Sequence, residues 1–358
     1  MKKKVLAGLF TIVMAVGMLA GCGNSQKSGD KDSKQTFQIV SKGFQSTYWQ
    51  AVYKGATAKA EELGVKIKMV GPNSESDVAD QVQMLNSAVN ANPPAIGLAA
   101  LDTSACLDAI QEAVDAEIPI IGFDSGVPDA PEGAVYANAS TDNYVAGGVA
   151  AEGLYKGIKD KLGKGKVRIG EVNQDATSES ITQRGIGFID KMIELLKADG
   201  YKAFVTGNDL YVNKAKGSVT KEDDADVVIE VAVPAETTTA SCQQVAEPIL
   251  SKKDTIAVFG SNQVSAEGIV NANETLKVCG PDGILAVGFD SGSVLKAAIS
   301  NKTLYGAVTQ SPVSIGEHLV QLLYDASKGK EIKDVDTGCA WYNSENINDE
   351  KIAQNLYD

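Results

Sequence analysis

Polar side chains follow the short apolar runs of this chain, and their types suit a ligand that carries many hydroxyl groups. A carboxylate can accept two hydroxyl protons at once, and an amide both donates and accepts. We find no G-x-S-x-G elbow, phosphate loop or acid–base pair, so binding rather than catalysis is predicted. The segments are Ser41-Lys42, Ala100-Leu101-Asp102, Asp124-Ser125, Asn173-Gln174-Asp175, Pro234–Thr237, Ser261-Asn262-Gln263, Asp290-Ser291 and Thr309-Gln310.

The elements that must position these side chains alternate between strand and helix patterns. The folded part, from about Thr36, exceeds 300 residues, which is too long for one compact core and suits two lobes. The βαβα alternation predicts a parallel sheet with helices on both faces, and the pattern starts again near Tyr144. We therefore predict an α/β fold with two doubly wound parallel-sheet lobes. Ligands of such folds bind at the carboxyl ends of the strands.

One stretch, residues 201–226, is longer than a plain helix-to-strand connection requires. We expect an inserted hairpin there, with residues 201–206 as an extra strand and a charged tip. It is either a solvated surface excursion or an element that docks a partner.

The first residues predict export. Residues 1–21 contain three lysines and then an apolar run that is shorter than the roughly 20 residues of a spanning helix. Leu19-Ala20-Gly21-Cys22 resembles the bacterial lipobox, so Cys22 is expected to carry lipid and to begin the mature chain. A plain signal peptide or a membrane anchor is the alternative. Residues 22–35 are predicted to be a flexible linker, because large apolar side chains are missing from this segment.

Charge and composition exclude several classes of protein. Without Lys2, Lys3 and Lys4 the 33 basic residues become 30 against 46 acidic ones, a formal charge of −16. Such an acidic chain is not expected to hold nucleic acid through phosphate contacts. The single histidine, His318, lies in a helical pattern. We therefore predict no His-rich metal site, no Ser-His hydrolase and no cofactor.

Cysteine usage leaves the redox state open. Besides Cys22 the chain contains Cys106, Cys242, Cys279 and Cys339, an even number that permits disulfides in an exported protein. None of them forms a CxxC pair or has zinc-like spacing. Buried or free thiols are expected.

Seven segments occur in a consistent order and spacing: Gly43–Ala56, Ile118–Ser125, Thr141–Gly147, Gln183–Phe188, Phe259–Gln263, Val287–Ser291 and Ala307–Pro312. Together they resemble the type I periplasmic sugar-binding proteins, the ribose- and galactose-binding group that supplies ABC importers. The resemblance covers residues 36 to about 340. It implies three crossovers, near Thr141, Gln310 and Cys339. The implied N-terminal lobe is 36–141 plus 311–338, and the C-terminal lobe is 142–310 plus 339–358.

The resemblance also implies a sugar site between the lobes. Tyr48 and Trp49 would stack on the sugar ring, Asp124 would bind its hydroxyls, and Gln310 would lie at the hinge. An aromatic plate with converging carboxylates and amides matches the apolar face and polar rim of a sugar. The predicted ligand contacts are Lys42, Tyr48, Trp49, Asp124, Ser125, Arg184, Asn262, Asp290 and Gln310.

The chain departs from the ribose-binding pattern at Lys42, Ser125, Thr182 and Thr237, which leaves the sugar open. A lysine in the first loop also occurs in relatives that bind other small sugars or autoinducer-2. Lys42 could instead face solvent.

Other residues also have structural alternatives. Asp124 and Asp290 could be helix N-caps, as we expect of Asp142. Tyr48 and Trp49 could pack the start of a helix, and Arg184 could belong to an ion pair.

The resulting prediction is a monomeric, lipid-anchored, extracytoplasmic solute-binding protein and not an enzyme. It would capture a pentose, hexose or ketose between closing lobes and deliver it to an ABC permease. It would lie on the outer face of the cytoplasmic membrane, in the periplasm if an outer membrane exists. The alternative is a receptor for autoinducer-2 or another small polyhydroxylated signal, or a chemotaxis sugar receptor. A sugar-responsive repressor is not expected. It would need a DNA-binding helix-turn-helix at the N-terminus, where this chain has the predicted signal segment.

Overall fold

The computed structural model describes residues 35–358. The predicted signal segment 1–21, the lipidation site Cys22 and the linker up to residue 34 lie outside the described residues. The elements are β1 (Thr36–Val40), α1 (Thr47–Leu63), β2 (Lys66–Val70), α2 (Val78–Asn90), β3 (Ile96–Leu98), α3 (Leu107–Asp115), β4 (Ile120–Phe123), β5 (Val135–Ser140), α4 (Asn143–Ile158), β6 (Val167–Val172), α5 (Glu179–Ala198), β7 (Ala203–Gly207), α6 (Asp209–Lys214), β8 (Val227–Ala232), α7 (Thr239–Leu250), β9 (Thr255–Gly260), α8 (Gln263–Leu276), β10 (Leu285–Phe289), α9 (Ser293–Ser300), β11 (Leu304–Thr309), α10 (Pro312–Ala326), β12 (Val335–Asp336), β13 (Ala340–Tyr342) and α11 (Glu350–Ala353).

The strands form two sheets. The first has the order β12-β5-β4-β3-β1-β2 and is parallel throughout; the second has the order β13-β11-β10-β9-β6-β8-β7, and only its β11–β13 pair is antiparallel. We call the halves built on them the N-lobe and the C-lobe. The chain passes between them after β5, after β11 and after β12. The predicted α/β class with two doubly wound lobes is confirmed.

Each sheet is covered by helices on both faces, as a parallel sheet requires. In the N-lobe one face packs Ile39 and Phe123 under α1 and α10, and the other packs Leu85 and Ile110 from α2 and α3. The C-lobe repeats this plan with two apolar clusters of its own. The N-lobe and the C-lobe therefore face each other with the ends of their strands.

In each lobe one pair of helices approaches unusually closely, through glycine. A Cβ added at Gly55 of α1 would lie 1.9 Å from the carbonyl oxygen of Val313 in α10. A Cβ added at Gly147 of α4 would lie 2.0 Å from the carbonyl oxygen of Arg184 in α5. Side chains larger than hydrogen therefore cannot be accommodated at either crossing without moving a helix.

Short polar motifs start the helices that border the gap between the lobes. The Ser46 side chain accepts a hydrogen bond from the Trp49 N–H, so α1 begins beside the end of β1. The Asp142 carboxylate accepts from the Val145 N–H at 3.0 Å, which confirms its predicted role as the cap of α4.

The hairpin predicted for residues 201–226 is wrong. The segment does contribute an extra strand, β7, but β7 runs parallel to β8 and forms the edge of the sheet. A parallel partner requires a crossover connection, which the short helix α6 helps to build. Tyr211 of this helix is fully buried and donates to the Asp175 carbonyl at 2.8 Å, which anchors α6 in the C-lobe core, whereas most of residues 213–224 are exposed.

The four cysteines of the described range, Cys106, Cys242, Cys279 and Cys339, are free thiols. Burial raises the pKa of Cys106 to about 11 and that of Cys242 to about 12, which keeps both protonated and unreactive at neutral pH. Between residues 35 and 358 no helix has the length and apolar character that a membrane crossing needs. The same range contains no cluster of three acidic, histidine or cysteine side chains suited to a metal ion.

Candidate functional site

A cavity lies where the carboxyl ends of the strands of both lobes face each other. Eight of the nine predicted ligand contacts line it. The exception is Ser125, whose hydroxyl lies behind the wall and accepts a hydrogen bond from the Ser180 N–H at 3.2 Å. The lining residues are Lys42, Ser46, Tyr48, Trp49, Glu75, Asp124, Ser180, Ile181, Arg184, Asn262, Gln263, Val264, Asp290 and Gln310.

Asp124 forms the N-lobe side of the cavity floor. It follows β4 with φ of 58°, a left-handed conformation that turns its side chain into the cavity. The Tyr48 hydroxyl donates to Oδ1 at 2.5 Å, and Lys42 Nζ lies 3.9 Å from Oδ2. Burial raises the pKa of Asp124 even though Lys42 and the Tyr48 hydroxyl oppose that rise. No helix lies between β4 and β5, so the N-cap alternative does not apply here.

Lys42 faces the cavity and not solvent, with 4% of its surface exposed. Its ammonium donates to Ser180 Oγ at 3.2 Å, across the gap between the lobes, and lies 3.8 Å from Glu75. Burial acts to lower the pKa of Lys42, but Glu75 and Asp124 more than offset it and hold that pKa above its ordinary value. The lysine is therefore a fixed cation between two carboxylates.

The aromatic pair of the first helical turn forms the N-lobe wall. Trp49 is 2% exposed, and its indole N–H donates to Glu75 Oε1 at 2.9 Å. The rings of Tyr48 and Trp49 meet edge to face with centroids 5.1 Å apart, and Trp49 packs in the same way on Phe123. The pair packs the start of α1 and also borders the cavity, and its stacking on a sugar ring stays a prediction.

Asp290 is the C-lobe counterpart of Asp124. It follows β10 with φ of 71°. Its carboxylate accepts from Gln310 Nε2 at 2.7 Å and from the Gln263 N–H at 3.3 Å. Burial raises the pKa of Asp290, against the opposing effects of Arg184 and Gln310. The Gln263 N–H is the first of α8, so Asp290 assists the start of a neighbouring helix rather than capping its own, which begins after Gly292.

Arg184 is buried and its guanidinium lies over the Phe289 ring, 3.7 Å from the centroid. Within residues 35–358 all three of its hydrogen bonds go to neutral acceptors, two to Asn143 Oδ1 and one to the Ser261 carbonyl. The ion-pair alternative for Arg184 is therefore wrong. A guanidinium has five N–H groups, so some remain for a ligand.

A chain of amides joins the lobes at the cavity rim. Asn262 Nδ2 donates to Gln174 Oε1 at 2.6 Å, and Gln174 Nε2 donates to Glu75 Oε2 at 2.9 Å. Asn262 also caps α8 through Oδ1, which accepts from the Ser265 N–H. The Glu75–Gln174 bond links a loop after β2 with a loop after β6, so the structure has its lobes in contact.

Glu75 and Ser180 were not among the predicted ligand contacts, although both line the cavity. Glu75 lies five residues beyond the end of β2, and a search of the whole loop rather than its first residues would have found it. Ser180 lies in the first turn of α5, two residues after Ser178, and only its position on the cavity side of that turn distinguishes it.

The chemistry that this cavity supports is recognition of hydroxyl groups. The charged side chains of the cavity have charged or neutral protein partners that hold them in position. One acceptor, Gln310 Oε1, is buried without a hydrogen-bond partner among the described residues. A buried acceptor without a donor costs about 1–3 kcal/mol, so a ligand hydroxyl that donates here is favoured.

Residues 37–331 match the family model described as periplasmic binding protein domain. The ribose import binding protein RbsB of Bacillus subtilis (strain 168) is 26% identical over 291 residues, which cover 80% of this chain and 79% of the relative. A solved structure described as an ABC transporter, LacI family transcriptional regulator from Brachyspira murdochii has 34% identity and a TM-score of 0.74, covering 91% of this chain and 99% of that chain. A carbohydrate transporter solute binding protein from Agrobacterium radiobacter, in complex with D-arabinose, has 28% identity and a TM-score of 0.75, covering 90% and 99%.

Proposed function

The chain belongs to the periplasmic binding protein family, and we propose that it captures a monosaccharide between its lobes and delivers it to an ABC permease. The solved relative that holds D-arabinose and the curated ribose import protein support a small sugar as the ligand. Binding without covalent chemistry is proposed.

The observation that carries this proposal is the pairing of Asp124 and Asp290 in one cavity, one from each lobe. Each carboxylate has fixed protein donors and is turned inward by a left-handed backbone, so its remaining lone pairs face the space between the lobes. Hydrogen bonds from hydroxyls to charged groups contribute about 1.5–3 kcal/mol each. A sugar that lacks one matching hydroxyl leaves a buried group unpaired and is rejected.

Closure follows from this arrangement. A sugar that contacts Asp124 and Asp290 together binds only the closed state, so it shifts the open–closed equilibrium toward closure. Contacts such as Glu75–Gln174 and Ser76–Thr237, the latter with hydroxyl oxygens 2.8 Å apart, join the lobes without ligand. The closed form is the one proposed to dock on the permease.

We propose further that Cys22 carries the lipid anchor and that the protein is a monomer on the outer face of the cytoplasmic membrane. Several acyl chains hold a protein at a membrane where one holds it marginally. Cell fractionation tests this: Cys22→Ser is expected to move the protein from the membrane to the soluble fraction. A Cys22→Ser protein that stays in the membrane contradicts the anchor.

The ligand is identified by a thermal-shift screen of residues 35–358 against pentoses, hexoses, ketoses, polyols and autoinducer-2. A ligand at a hundredfold excess over its Kd stabilises the native state by about 2.7 kcal/mol, which raises the Tm. We expect one sugar to raise the Tm of the wild type and not that of Asp124→Ala.

The matched control is Asp102→Ala, since Asp102 also follows an N-lobe strand but its carboxylate accepts from the Ser104 N–H and the Ala105 N–H. This variant should respond to the sugar as the wild type does. A response to autoinducer-2 alone would replace the sugar proposal with the signal-receptor alternative. A folded protein that responds to nothing in the panel would contradict both.

A further inference from the structure

Residues 350–358 run along the C-lobe toward the cavity. Ile352 of α11 and Leu356 pack in the C-lobe apolar cluster. The Thr309 hydroxyl, at the end of β11, donates to the Asn355 carbonyl at 3.3 Å. Lys296 of α9 forms an ion pair with Asp358. The segment is therefore held to the C-lobe on both sides of Tyr357.

The backbone of Tyr357 is fixed beside Asp290. Its carbonyl accepts from the Gly292 N–H and from the Ser291 hydroxyl, each at 3.1 Å. Its own N–H donates to Ser291 Oγ at 3.3 Å. Ser291 and Gly292 directly follow Asp290, so Tyr357 moves with the loop that carries this carboxylate.

The Tyr357 side chain crosses to the other lobe. Its ring meets the Tyr48 ring edge to face with centroids 6.0 Å apart, and it packs against the N-lobe apolar cluster. Its hydroxyl lies 3.4 Å from Gln263 Oε1. Burial, and then Asp290, raise the pKa of Tyr357 well above its ordinary value, so the ring stays neutral beside the carboxylates.

Tyr357 thus lies between a fixed C-lobe loop and the N-lobe tyrosine that donates to Asp124. Tyr48 contacts both Trp49 and Tyr357 edge to face. Without the Tyr357 ring, Tyr48 gains room to turn away, and the closed lobes lose an aromatic contact. Such aromatic pairs contribute beyond their buried area.

We propose that Tyr357 is a positioning residue of the ligand site: by contacting Tyr48 across the lobes it holds the Asp124 carboxylate in place and favours the closed state. The effect on ligand affinity rests on the proposed sugar-binding function. The effect on closure does not, since the Tyr357–Tyr48 contact needs no ligand.

The test uses the two tryptophans of the chain, Trp49 and Trp341. In a Trp341→Phe background Trp49, buried in the cavity wall, is the only tryptophan and its quenching by acrylamide reports opening of the lobes. Without ligand, Tyr357→Ala should increase the open fraction by about twofold to tenfold, which matches the contribution of one aromatic pair. Tyr357→Phe, which keeps the ring, should behave as the background protein.

Leu356→Ala is the matched control, because Leu356 packs only in the C-lobe cluster of the same segment. It should lower the Tm without changing the quenching of Trp49. Should Tyr357→Ala fail to fold, Tyr357→Leu removes the aromatic ring and is measured in its place. Unchanged quenching in Tyr357→Ala, or an equal increase in Leu356→Ala, would overturn the proposal.

The affinity arm titrates the sugar that raises the wild-type Tm most in the thermal-shift panel. Tyr357→Ala should weaken its Kd about twofold to tenfold, and Leu356→Ala by less than twofold. A wild type that binds no sugar overturns the proposed function and leaves the quenching comparison to decide this inference. An unchanged Kd in Tyr357→Ala, with wild-type binding intact, overturns the positioning of Asp124.

Discussion

Both lobes place an aspartate at the cavity, but the charge of that aspartate has different partners in the two lobes. Each ends a buried strand with an aspartate in a left-handed conformation, followed by a serine. In the N-lobe the carboxylate of Asp124 faces the buried cation Lys42. In the C-lobe the carboxylate of Asp290 is held by the neutral Gln310 amide and the Gln263 N–H.

Because of this difference, the two aspartates are not expected to affect ligand binding and folding stability in parallel. In the N-lobe the buried cation Lys42 lies between Asp124 and Glu75, so removing Asp124 takes away one of its two carboxylate partners. Within residues 35–358 the C-lobe carboxylate accepts hydrogen bonds from neutral donors only, and the Arg184 cation acts on it from a longer distance. The two aspartates should therefore matter equally for affinity and unequally for folding.

The largest effect is expected from Asp124→Ala compared with Asp290→Ala. Each should weaken sugar binding at least about a hundredfold, since two charge-assisted hydrogen bonds of about 1.5–3 kcal/mol are lost. Asp124→Ala should also lower the free energy of unfolding by about 3 kcal/mol, because it removes one carboxylate partner of the buried Lys42 and the acceptor of the Tyr48 hydroxyl. Asp290→Ala should lower it less, by about 1.5 kcal/mol, the lower value for a hydrogen bond to a charged group.

Calorimetric titration of both variants measures ligand affinity, and urea unfolding measures the free energy of unfolding. Equal losses of folding stability would contradict the asymmetry between the lobes. Retained affinity in either variant would contradict the pairing of the two carboxylates on one ligand.

An intermediate effect is expected at the close helix crossings. Gly55→Ala and Gly147→Ala each push a methyl group against a backbone carbonyl oxygen, and overpacking of this kind costs about 1–3 kcal/mol. The carbonyl that Gly147 meets belongs to Arg184, which lines the cavity, whereas the one that Gly55 meets belongs to Val313.

Gly147→Ala should therefore weaken ligand binding as well as folding, and Gly55→Ala should weaken folding alone. Urea unfolding and ligand titration of the two variants measure this. If Gly55→Ala lost as much affinity as Gly147→Ala, the link from the α4–α5 crossing to Arg184 would be refuted.

The smallest effect on folding stability is expected at two buried polar side chains, one in each lobe, near the carboxyl ends of the strands. In the N-lobe, Gln81 is fully bonded: its amide donates to the Ser41 and Ala99 carbonyls and accepts from the Leu101 N–H. In the C-lobe, Glu171 accepts only from Asn173, and its second oxygen has no partner among the described residues. Burial raises the pKa of Glu171 well above its ordinary value, and Asn173 opposes that rise.

The raised pKa of Glu171 makes folding stability depend on pH. In the folded state the Glu171 carboxyl keeps a proton that the unfolded state releases above pH 4.5. Glu171 therefore lowers the free energy of unfolding as the pH rises from there toward its folded pKa. Glu171→Gln removes this cost and should raise the free energy of unfolding at pH 8. The gain should disappear near pH 4.

Urea unfolding at several pH values measures the effect, with the exposed Glu236→Gln as control. A Glu171→Gln protein that is less stable than the wild type at pH 8 would show that Glu171 is ionised and compensated.

Much of the fold and part of the site could be predicted from the sequence, because both follow from local patterns. The alternation of elements gave the two lobes, and Asp124 and Asp290 were accessible because each directly follows an apolar strand. The direction of β7 was not accessible, since periodicity identifies a strand without stating its partner's direction. Glu75 and Tyr357 depend on contacts between distant segments, which spacing along one chain does not reveal.

The most direct test of capture between the lobes is a crystal structure of residues 35–358 with the sugar identified by the thermal-shift screen. The predicted result is one sugar ring in the cavity beside Trp49, with hydroxyls within hydrogen-bond distance of Asp124 and Asp290 together. A sugar that contacts one lobe alone, or that binds outside this cavity, would contradict the account.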